Sequence, residues 1–351
     1  MNAIPYIKSL NNYIVPITRL SPSSFNSLEK GCTLRYILSY SIPYNLKIAS
    51  NKNAILGTIA HKLFELRRKG YIQDRIAFKN KWKELVSHEE EQLKRFYPSM
   101  RNFSLADFQL CIKSWEIAKN IVPIKNQLSI STNASSYGVE KSVRLGDVLY
   151  GKIDSVNPID GGVEIVDFKT GNVYSDSGKI KDEYVYQLNL YALMYEYTYN
   201  ISVKQLNIID INGQIISVPR LDLNQTEILN KSKGLIAKIN SLIEITNPIE
   251  LCEPNESCRF CNCRHLCPDF YIKYNGTEIL KGIVESVPNR NVIKLSNEFS
   301  GETIIINGFD ALDFNMKDYI GKRIIFLNLF QRDGLPLSLT KYTLIFCEDE
   351  K

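Results

Sequence analysis

The sequence lacks any apolar run that approaches the ~20 residues a membrane helix needs. It also lacks, near its N-terminus, the basic segment and long apolar segment that together mark a secretory signal peptide. These absences favour a cytoplasmic protein with no membrane partner. No internal repeat or low-complexity tract is present. The 351 residues, 44% of them apolar, allow one large domain with room for a second.

A nucleotide-binding loop is absent as well. The stretch GNVYSDSGK (171–179) has six residues rather than four between its glycines. Ile180 stands where such a loop needs Ser or Thr. The chain therefore supplies no nucleotide-driven motor, and a helicase or another motor would have to come from a partner protein.

Charge is only modestly biased, because the net charge is +5. Residues 276–351 hold nine Lys and Arg against eleven Asp and Glu, so this segment is −2 and the first 275 residues are +7. The densest basic stretch, 67–83, has seven basic residues and one acid. Such a run is typical of a solvated helix face and equally of a surface that follows phosphates.

Hydrophobic periodicity predicts a mainly helical first half followed by strands. Helices are expected at 20–40, 55–70, 78–97 and 105–122, and the first of them carries Cys32. Later segments are predicted as three strands (138–145, 148–156, 162–171), a helix (182–200), a hairpin turning at Asn212-Gly213 (204–220) and a helix (222–245).

After residue 275 the pattern changes to short β-rich runs. Five are predicted, at 281–287, 291–297, 303–309, 322–331 and 337–346, with a short helix near 310–318. This arrangement predicts a small β-barrel for residues 276–351, with the OB-fold as its candidate topology, beside a larger domain over 1–275. Because the segment is slightly acidic, a role in protein contact or packing is at least as well supported as binding of single-stranded nucleic acid.

The segment IVDFKTG (165–171) places an acid and a base two positions apart in a strand, so Asp167 and Lys169 share a face. Taken alone, this pattern is typical of a simple ion pair at a strand end. Asp154 lies thirteen residues earlier on the preceding strand, which can pair antiparallel with this one. Two adjacent carboxylates repel unless a divalent cation lies between them, and Mg²⁺ favours such oxygen ligands together with a backbone carbonyl, here that of Phe168.

The next predicted helix adds Gln187 and Tyr191, four residues apart and therefore on one face. Either side chain can hydrogen-bond a phosphate or orient Lys169, although Tyr191 also reads as an ordinary core aromatic. His61 is one of only three histidines, and imidazole suits Mn²⁺ or Mg²⁺ as an added ligand at an acidic site.

Together these residues resemble the RecB-like branch of the PD-(D/E)XK nuclease superfamily. The resemblance rests on GTIAH, GKID, VDFKTG and QLNLY in this order, and it extends over about residues 20–270. It implies a restriction-endonuclease-like α/β core, a mixed sheet flanked by helices. It also implies hydrolysis of DNA phosphodiester bonds with Mg²⁺ or Mn²⁺. The implied catalytic residues are Asp154, Asp167, Lys169, Gln187 and Tyr191, and the implied metal ligands are His61, Asp154, Asp167 and the Phe168 carbonyl.

Five of the eight cysteines lie within residues 252–267, which in a reducing cytosol indicates metal binding rather than disulfides. The spacing Cys258-x₂-Cys261-x₅-Cys267 resembles that of AddB-type and CRISPR-associated RecB-like nucleases. The resemblance implies a [4Fe–4S] cluster whose fourth ligand is Cys32, here followed by Thr33 where proline is usual. The alternative is a structural Zn²⁺ site formed by Cys252, Cys258, Cys261 and either Cys263 or Cys267, in which His265 could also serve as a ligand.

These features predict a metal-dependent DNA nuclease that works with partner proteins in DNA repair, recombination or antiviral defence. The alternative is a catalytically silent DNA-binding or scaffold subunit of a nuclease–helicase complex. The intact set of His61, Asp154, Asp167, Lys169 and Gln187 argues against that alternative.

Overall fold

The computed structural model describes residues 4–5, 13–43, 46–97, 103–121, 137–245, 247–255, 258, 260–274, 279–289, 292–308, 315–331, 334–340 and 342–348. In these ranges the chain forms two mixed β-sheets flanked by helices. The predicted mixed α/β class is confirmed. No described helix combines the length and the apolar character that crossing a bilayer requires.

Five helices form the N-terminal part: α1 (Pro22–Lys30), α2 (Thr33–Ser41), α3 (Lys52–Arg68), α4 (Arg75–Phe96) and α5 (Phe108–Ala118). Helices α3, α4 and α5 begin after Asn51, Asp74 and Asp107, whose side chains accept the free backbone N–H groups of the first turn.

The single helix predicted over 20–40 is wrong, because the chain breaks between α1 and α2. Gly31 is extended there, with φ −123° and ψ −172°, and glycine is a weak helix former. The Cys32 sulfur then accepts the backbone N–H of Arg35 and caps α2. Cys32 therefore lies at a helix end rather than inside a helix.

The first sheet contains β2 (Gly138–Leu145), β3 (Leu149–Ile159), β4 (Gly162–Phe168), β5 (Val203–Ile209) and β6 (Ile215–Ser217), in that spatial order. Its pairs are antiparallel except β4 and β5, which are parallel and joined through α6 (Asp182–Tyr199). The three strands, this helix and the hairpin at Asn212-Gly213 confirm the periodicity predictions. Helix α7 (Gln225–Ile245) also matches its predicted segment.

Two apolar cores enclose this sheet. One core joins strand residues such as Val163 and Ile165 to the inner faces of α6 and α7. The other joins Val166 and Phe168 to helices α2 to α5 and to the cysteine-rich loop. The C-terminal end of β4 is therefore held between layers, which fixes the position of the polar residues that follow it.

The second sheet is curled and has the strand order β1-β12-β10-β7-β8-β9-β11. Its strands are β1 (Ile4–Pro5), β7 (Ile279–Asn289), β8 (Val292–Asn297), β9 (Thr303–Asn307), β10 (Arg323–Leu327), β11 (Leu337–Ser338) and β12 (Leu344–Cys347). The predicted fifth run is two strands, because a turn closed by the Thr343 N–H to the Thr340 carbonyl at 3.0 Å interrupts it. The predicted helix near 310–318 is represented by a 3₁₀ turn at Met316–Tyr319, and residues 309–314 lie outside the described part.

The curled sheet packs against the helical core. Ile325, Leu344 and Phe346 belong to the same apolar cluster as the helices and the cysteine-rich loop. The His265 ring stacks on Phe346, with 4.5 Å between ring centroids and an interplanar angle of 19°. Strand β1 pairs in parallel with β12. The division of the chain at residue 275 stays a prediction.

Candidate active site

His61 lies on α3, and a glycine determines how closely this helix approaches the end of β4. A Cβ atom on Gly57 would lie 2.8 Å from Thr170 Oγ1, closer than packed atoms tolerate. Gly57 therefore permits the contact that brings His61 near the sheet. His61 Nδ1 lies 3.3 Å from Asp154 Oδ2.

Strands β3 and β4 pair antiparallel with Ser155 opposite Val166, so one step further along the same register places Asp154 opposite Asp167. Asp154 Oδ2 also accepts a hydrogen bond from the backbone N–H of Phe168, at 2.9 Å. The two carboxylates predicted to be neighbours are therefore adjacent. The bond to the Phe168 N–H orients the Asp154 side chain toward the end of β4.

Lys169 follows the last residue of β4, and its backbone N–H continues the pairing to β5 by donating to the Ile209 carbonyl at 2.9 Å. Its ammonium lies 2.8 Å from Asp167 Oδ2 and donates to Gln187 Oε1 at 3.2 Å. It also lies 4.6 Å from the centre of the Tyr184 ring. Three groups thus orient this lysine, and we call His61, Asp154, Asp167 and Lys169 the carboxylate centre.

The electrostatics of the carboxylate centre are those of a crowded acidic site. Burial and the neighbouring Asp154 charge raise the pKa of Asp167 to about 6, although Lys169 pulls it down. Burial acts against protonation of His61, but Asp154 and Asp167 outweigh it and raise the His61 pKa above its ordinary value. The same balance raises the pKa of Lys169, so this side chain remains a cation at neutral pH.

The described residues do not contain three His, Cys, Asp or Glu side chains already gathered at the spacing of a bound metal ion. The donor set nevertheless fits a hard divalent cation, because it offers two carboxylates, an imidazole and a strand-end carbonyl. Asp167 Oδ2 is buried, and its neighbour there is the Lys169 ammonium at 2.8 Å. A cation placed between the carboxylates would remove the repulsion that raises the Asp167 pKa.

Tyr191 lies one helical turn beyond Gln187. Its hydroxyl shares hydrogen bonds with the Gln187 side chain and the Lys152 backbone, and burial raises its pKa to about 12. A Cβ atom on Gly151 would lie 2.6 Å from Tyr191 Cε1, so this glycine makes room for the ring. The Tyr191 hydroxyl is therefore neutral at physiological pH, and its ring packs beside Gly151 of β3.

Sequence reasoning missed three contributors to this geometry, namely Tyr184, Gly57 and Gly151. Tyr184 lies three residues before Gln187 on the same helix, and this spacing could have identified it. The glycines stand inside the same short motifs as His61 and Asp154, but their role depends on which side chain each faces across the fold.

The cysteines of the loop converge with Cys32. One small cavity is lined by the six cysteines Cys32, Cys252, Cys258, Cys261, Cys263 and Cys267, and we call it the cysteine cavity. The Cys32 sulfur accepts the Glu253 N–H at 3.5 Å, and the Cys258 sulfur accepts the Asn255 N–H at 3.3 Å. Cys252 and Cys267 place their sulfurs 3.2 Å apart.

This setting suits a soft metal centre. The donors are thiols, backbone N–H groups point at two of the sulfurs, and apolar residues such as Leu34 and Phe270 complete the wall. Burial raises the pKa of the Cys261 thiol and, with Cys267 beside it, that of Cys252. His265 points elsewhere: its Nε2 lies 3.1 Å from the Leu46 carbonyl, and burial lowers its pKa to about 3.

The basic run at 67–83 is divided between side chains with local partners and exposed side chains. Arg67 donates to the Ile72 and Gln73 carbonyls, and Arg68 is buried and donates to Asn157. Lys69 and Lys81 pair with glutamates of their own helices. Four of the seven charges therefore have local partners. The other three, Arg75, Lys79 and Lys83 of α4, lie near Cys111 of α5.

Comparison with known proteins places this geometry in context. No curated protein sequence matches the chain. The solved structures to which the chain is similar include that of SSO0001 and that of a candidate exonuclease from Eubacterium rectale. The first has 15% identity and a TM-score of 0.27, covering 69% of this chain and 94% of that one. The second has 12% identity and a TM-score of 0.37, covering 71% and 88%.

The family comparison is more specific. The model of the PD-(D/E)XK nuclease superfamily matches residues 19–268. This range begins before α1, ends just after the last cysteine of the loop, and includes every residue of the carboxylate centre. The chain belongs to the PD-(D/E)XK nuclease superfamily.

Proposed function

We propose that this protein is a Mg²⁺- or Mn²⁺-dependent deoxyribonuclease of the RecB-like branch. The observation that carries the proposal is the environment of Asp167, which is 5% exposed, lies opposite Asp154, and has a pKa raised to about 6 with Lys169 within 2.8 Å. A strand-end ion pair needs no second carboxylate. A divalent cation would use both carboxylates as ligands and offset their repulsion.

Asp154, Asp167, His61 and the Phe168 carbonyl would hold the cation. When bound, a divalent cation lowers the pKa of water and neutralises charge that develops on a phosphate. Asp154 is held for this role by the Phe168 N–H, at 2.9 Å. His61 reaches the same oxygen of Asp154 from the other side, at 3.3 Å.

Lys169 supplies a fixed positive charge at the reaction centre. Asp167, Gln187 and Tyr184 hold its ammonium, and its raised pKa keeps it protonated. A preorganised cation of this kind stabilises the negative charge of the pentavalent transition state, an effect typically worth about 100- to 1000-fold in rate. Gln187 orients the lysine, and Tyr191 in turn orients Gln187.

We further propose that Cys32, Cys258, Cys261 and Cys267 hold a [4Fe–4S] cluster in the cysteine cavity. The support is that Cys32, more than two hundred residues away in sequence, lines the same cavity as the C-x₂-C-x₅-C cysteines. Structural Zn²⁺ is the alternative, and the contact between Cys252 and Cys267 keeps Cys252 in that set. In either case the centre would tie α2 to the end of the nuclease domain.

The C-terminal sheet is proposed to be an OB-fold barrel. Strands β9 and β11 are parallel, and β10 lies between β7 and β12. An isolated bridge between Ser338 and Phe330, three residues beyond the end of β10, supports closure of this curled sheet. Because this sheet shares a core with the cysteine-rich loop, we propose that it supports that loop rather than binding DNA.

The biological setting is also a proposal. We place the protein in the cytoplasm, acting on DNA in repair, recombination or antiviral defence beside a helicase or another motor protein. The support is the nuclease family together with the absence of a nucleotide-binding loop from the sequence.

A cleavage assay tests the proposal. Single- and double-stranded DNA, each end-labelled or circular, would be incubated with Mg²⁺, Mn²⁺ or EDTA. We expect cleavage with either metal, none with EDTA, and none from Asp167→Asn. Asp160→Asn, an exposed aspartate at the turn between β3 and β4, is the matched control and should cleave normally.

Cleavage by Asp167→Asn at the normal rate would remove the carboxylate centre from the reaction. DNA binding without cleavage under every metal condition would instead favour the silent DNA-binding subunit.

A further inference from the structure

A groove of about 1570 Å³ opens beside the carboxylate centre. Its lining comes from residues 19–24, α2, β2, β3 and the start of α6. Tyr184 and Gln187, which contact the Lys169 ammonium, are among the lining residues. A polymer lying in this groove would therefore pass close to Lys169.

Flat side chains follow the wall formed by α2. Tyr36 and Tyr40 lie on successive turns, with 6.5 Å between ring centroids and an interplanar angle of 31°. The Tyr36 hydroxyl donates to the Arg19 carbonyl at 3.3 Å, and the Arg19 guanidinium lies 5.6 Å from the centre of the Tyr150 ring. Tyr40, Tyr36, Arg19 and Tyr150 thus form a continuous row, which we call the tyrosine row.

The tyrosine row leads toward the reaction centre. Tyr150 is followed by Gly151, the residue against which the Tyr191 ring packs. Tyr191 hydrogen-bonds Gln187, which accepts from Lys169. A strand lying along the row would therefore end at the side chain proposed to stabilise the reacting phosphate.

The charge of the groove is low for a duplex site. Among its described lining residues are four cations, Arg19, Arg35, Lys152 and Lys181, and two carboxylates, Asp182 and Glu183. Lys152 is paired with Glu140, and Arg19 faces Tyr150. Duplex binding depends on many cations along both backbones. Base stacking on aromatic rings requires bases that are not paired within a duplex.

We propose that this groove holds an unpaired DNA strand, with bases stacked on Tyr36, Tyr40 and Tyr150, and that this stacking gives the enzyme its strand preference. The inference rests on the proposed function, because it names the substrate of the same site. Tyr36, Tyr40 and Tyr150 are specificity-determining residues, and the cleavage chemistry remains with the carboxylate centre.

The test measures binding of the full-length protein in EDTA, so that cleavage does not interfere. The probes are a short fluorescein-labelled oligothymidine, the same oligonucleotide with abasic residues, and a blunt duplex. We expect the wild type to bind oligothymidine about fivefold or more tightly than either of the other probes, because stacking contributes ~1–3 kcal/mol per base. The abasic probe keeps the phosphates and removes only the stacking partners.

Variants then locate the stacking. Tyr40→Ala and Tyr150→Ala should each weaken oligothymidine binding about fivefold or more while leaving abasic binding unchanged. Tyr40→Phe and Tyr150→Phe should bind normally, because the ring is kept. Tyr71→Ala, at a tyrosine 75% exposed and outside the groove lining, is the matched control and should also bind normally.

Equal wild-type affinity for the oligothymidine and abasic probes would overturn the inference, as would equal affinity for the duplex. This result does not depend on whether any variant folds. Failure of stacking together with metal-dependent cleavage would leave the proposed function intact. Stacking without any cleavage would refute the nuclease proposal and leave a single-strand-binding protein.

Discussion

The carboxylate centre and the cysteine cavity are built in opposite ways. The first gathers Asp154, Asp167 and Lys169 from adjacent strands of one sheet, and only His61 comes from a distant helix. The second gathers thiols from an irregular loop and from the N-cap of α2, and none of these cysteines lies on a strand. Paired strands thus position most of the carboxylate centre, whereas the arrangement of the cysteine cavity depends on tertiary packing and on whatever it binds.

We therefore expect loss of a ligand in the cysteine cavity to lower the stability of the protein. Loss of the lysine of the carboxylate centre should instead lower the cleavage rate.

Replacing Cys32 by Ser should have the largest effect. A cluster linking positions 32 and 258 closes a long loop, which chain-entropy reasoning values at roughly 5 kcal/mol at most. We expect a loss of iron, a bleached protein and a thermal midpoint lower by several degrees. Iron, sulfide and zinc analysis with thermal melts would measure this, and Cys258→Ser should behave alike.

Cys111→Ala is the control for the cysteine variants, because Cys111 is buried in the helical core and outside the cysteine cavity. It should keep its metal. One zinc per chain without iron, retained in Cys32→Ser and lost in Cys252→Ser, would establish the zinc alternative.

Replacing Lys169 by Met should lower the cleavage rate by about 100- to 1000-fold, because a preorganised cation is removed from the transition state. Iron content should change little, in contrast to the cysteine variants. Single-turnover cleavage together with iron analysis would measure both. Lys204→Met, at an exposed lysine on β5, is the control and should cleave normally. A rate loss in both variants would argue for general charge rather than a placed cation.

Replacing Asp167 by Asn should stabilise the metal-free protein at neutral pH. The pKa of Asp167 is raised from 3.8 to about 6, so the folded state holds its proton more tightly than the unfolded state. That carboxyl contributes stability at low pH, and the contribution is lost as pH rises through about 4 to 6. We expect a gain of ~1–3 kcal/mol for Asp167→Asn above about pH 6, and none below about pH 4.

Urea unfolding in EDTA across this pH range would measure the difference. Adding Mg²⁺ should stabilise the wild type and not the variant, because only the wild type keeps both carboxylates. A variant that is less stable at every pH would show that the Lys169 pairing outweighs the burial of charge.

The smallest expected effect comes from Gly57→Ala. The new Cβ would meet Thr170 Oγ1 at 2.8 Å and displace the residue that follows Lys169, although alanine favours the helix by about 1 kcal/mol. We expect near-normal stability and a cleavage rate reduced by about tenfold or less, in keeping with a misplaced catalytic group. Adding Thr170→Ala removes the clashing oxygen and should restore the rate. An equally slow double variant would contradict this account.

Much of the carboxylate centre could be predicted because its information is local. Antiparallel strands joined by a short turn must place Asp154 near Asp167, and a helix must align Gln187 with Tyr191. The fold class followed from the same periodicities. The elements that failed depended on single residues, such as Gly31, which ends α1 in a run whose apolar spacing still reads as helical.

The sequence by itself determined most of the elements, the order of the nuclease motifs and the types of donor each candidate site offers, because these depend on spacing along a few turns or strands. Only the tertiary structure decided that the Cys252 sulfur lies beside that of Cys267, that Tyr184 holds Lys169, and that most of the basic run serves local structure. The physical reason is that such contacts form when distant segments pack together and bury apolar surface. The spacing of residues along the chain does not specify which segments will pack.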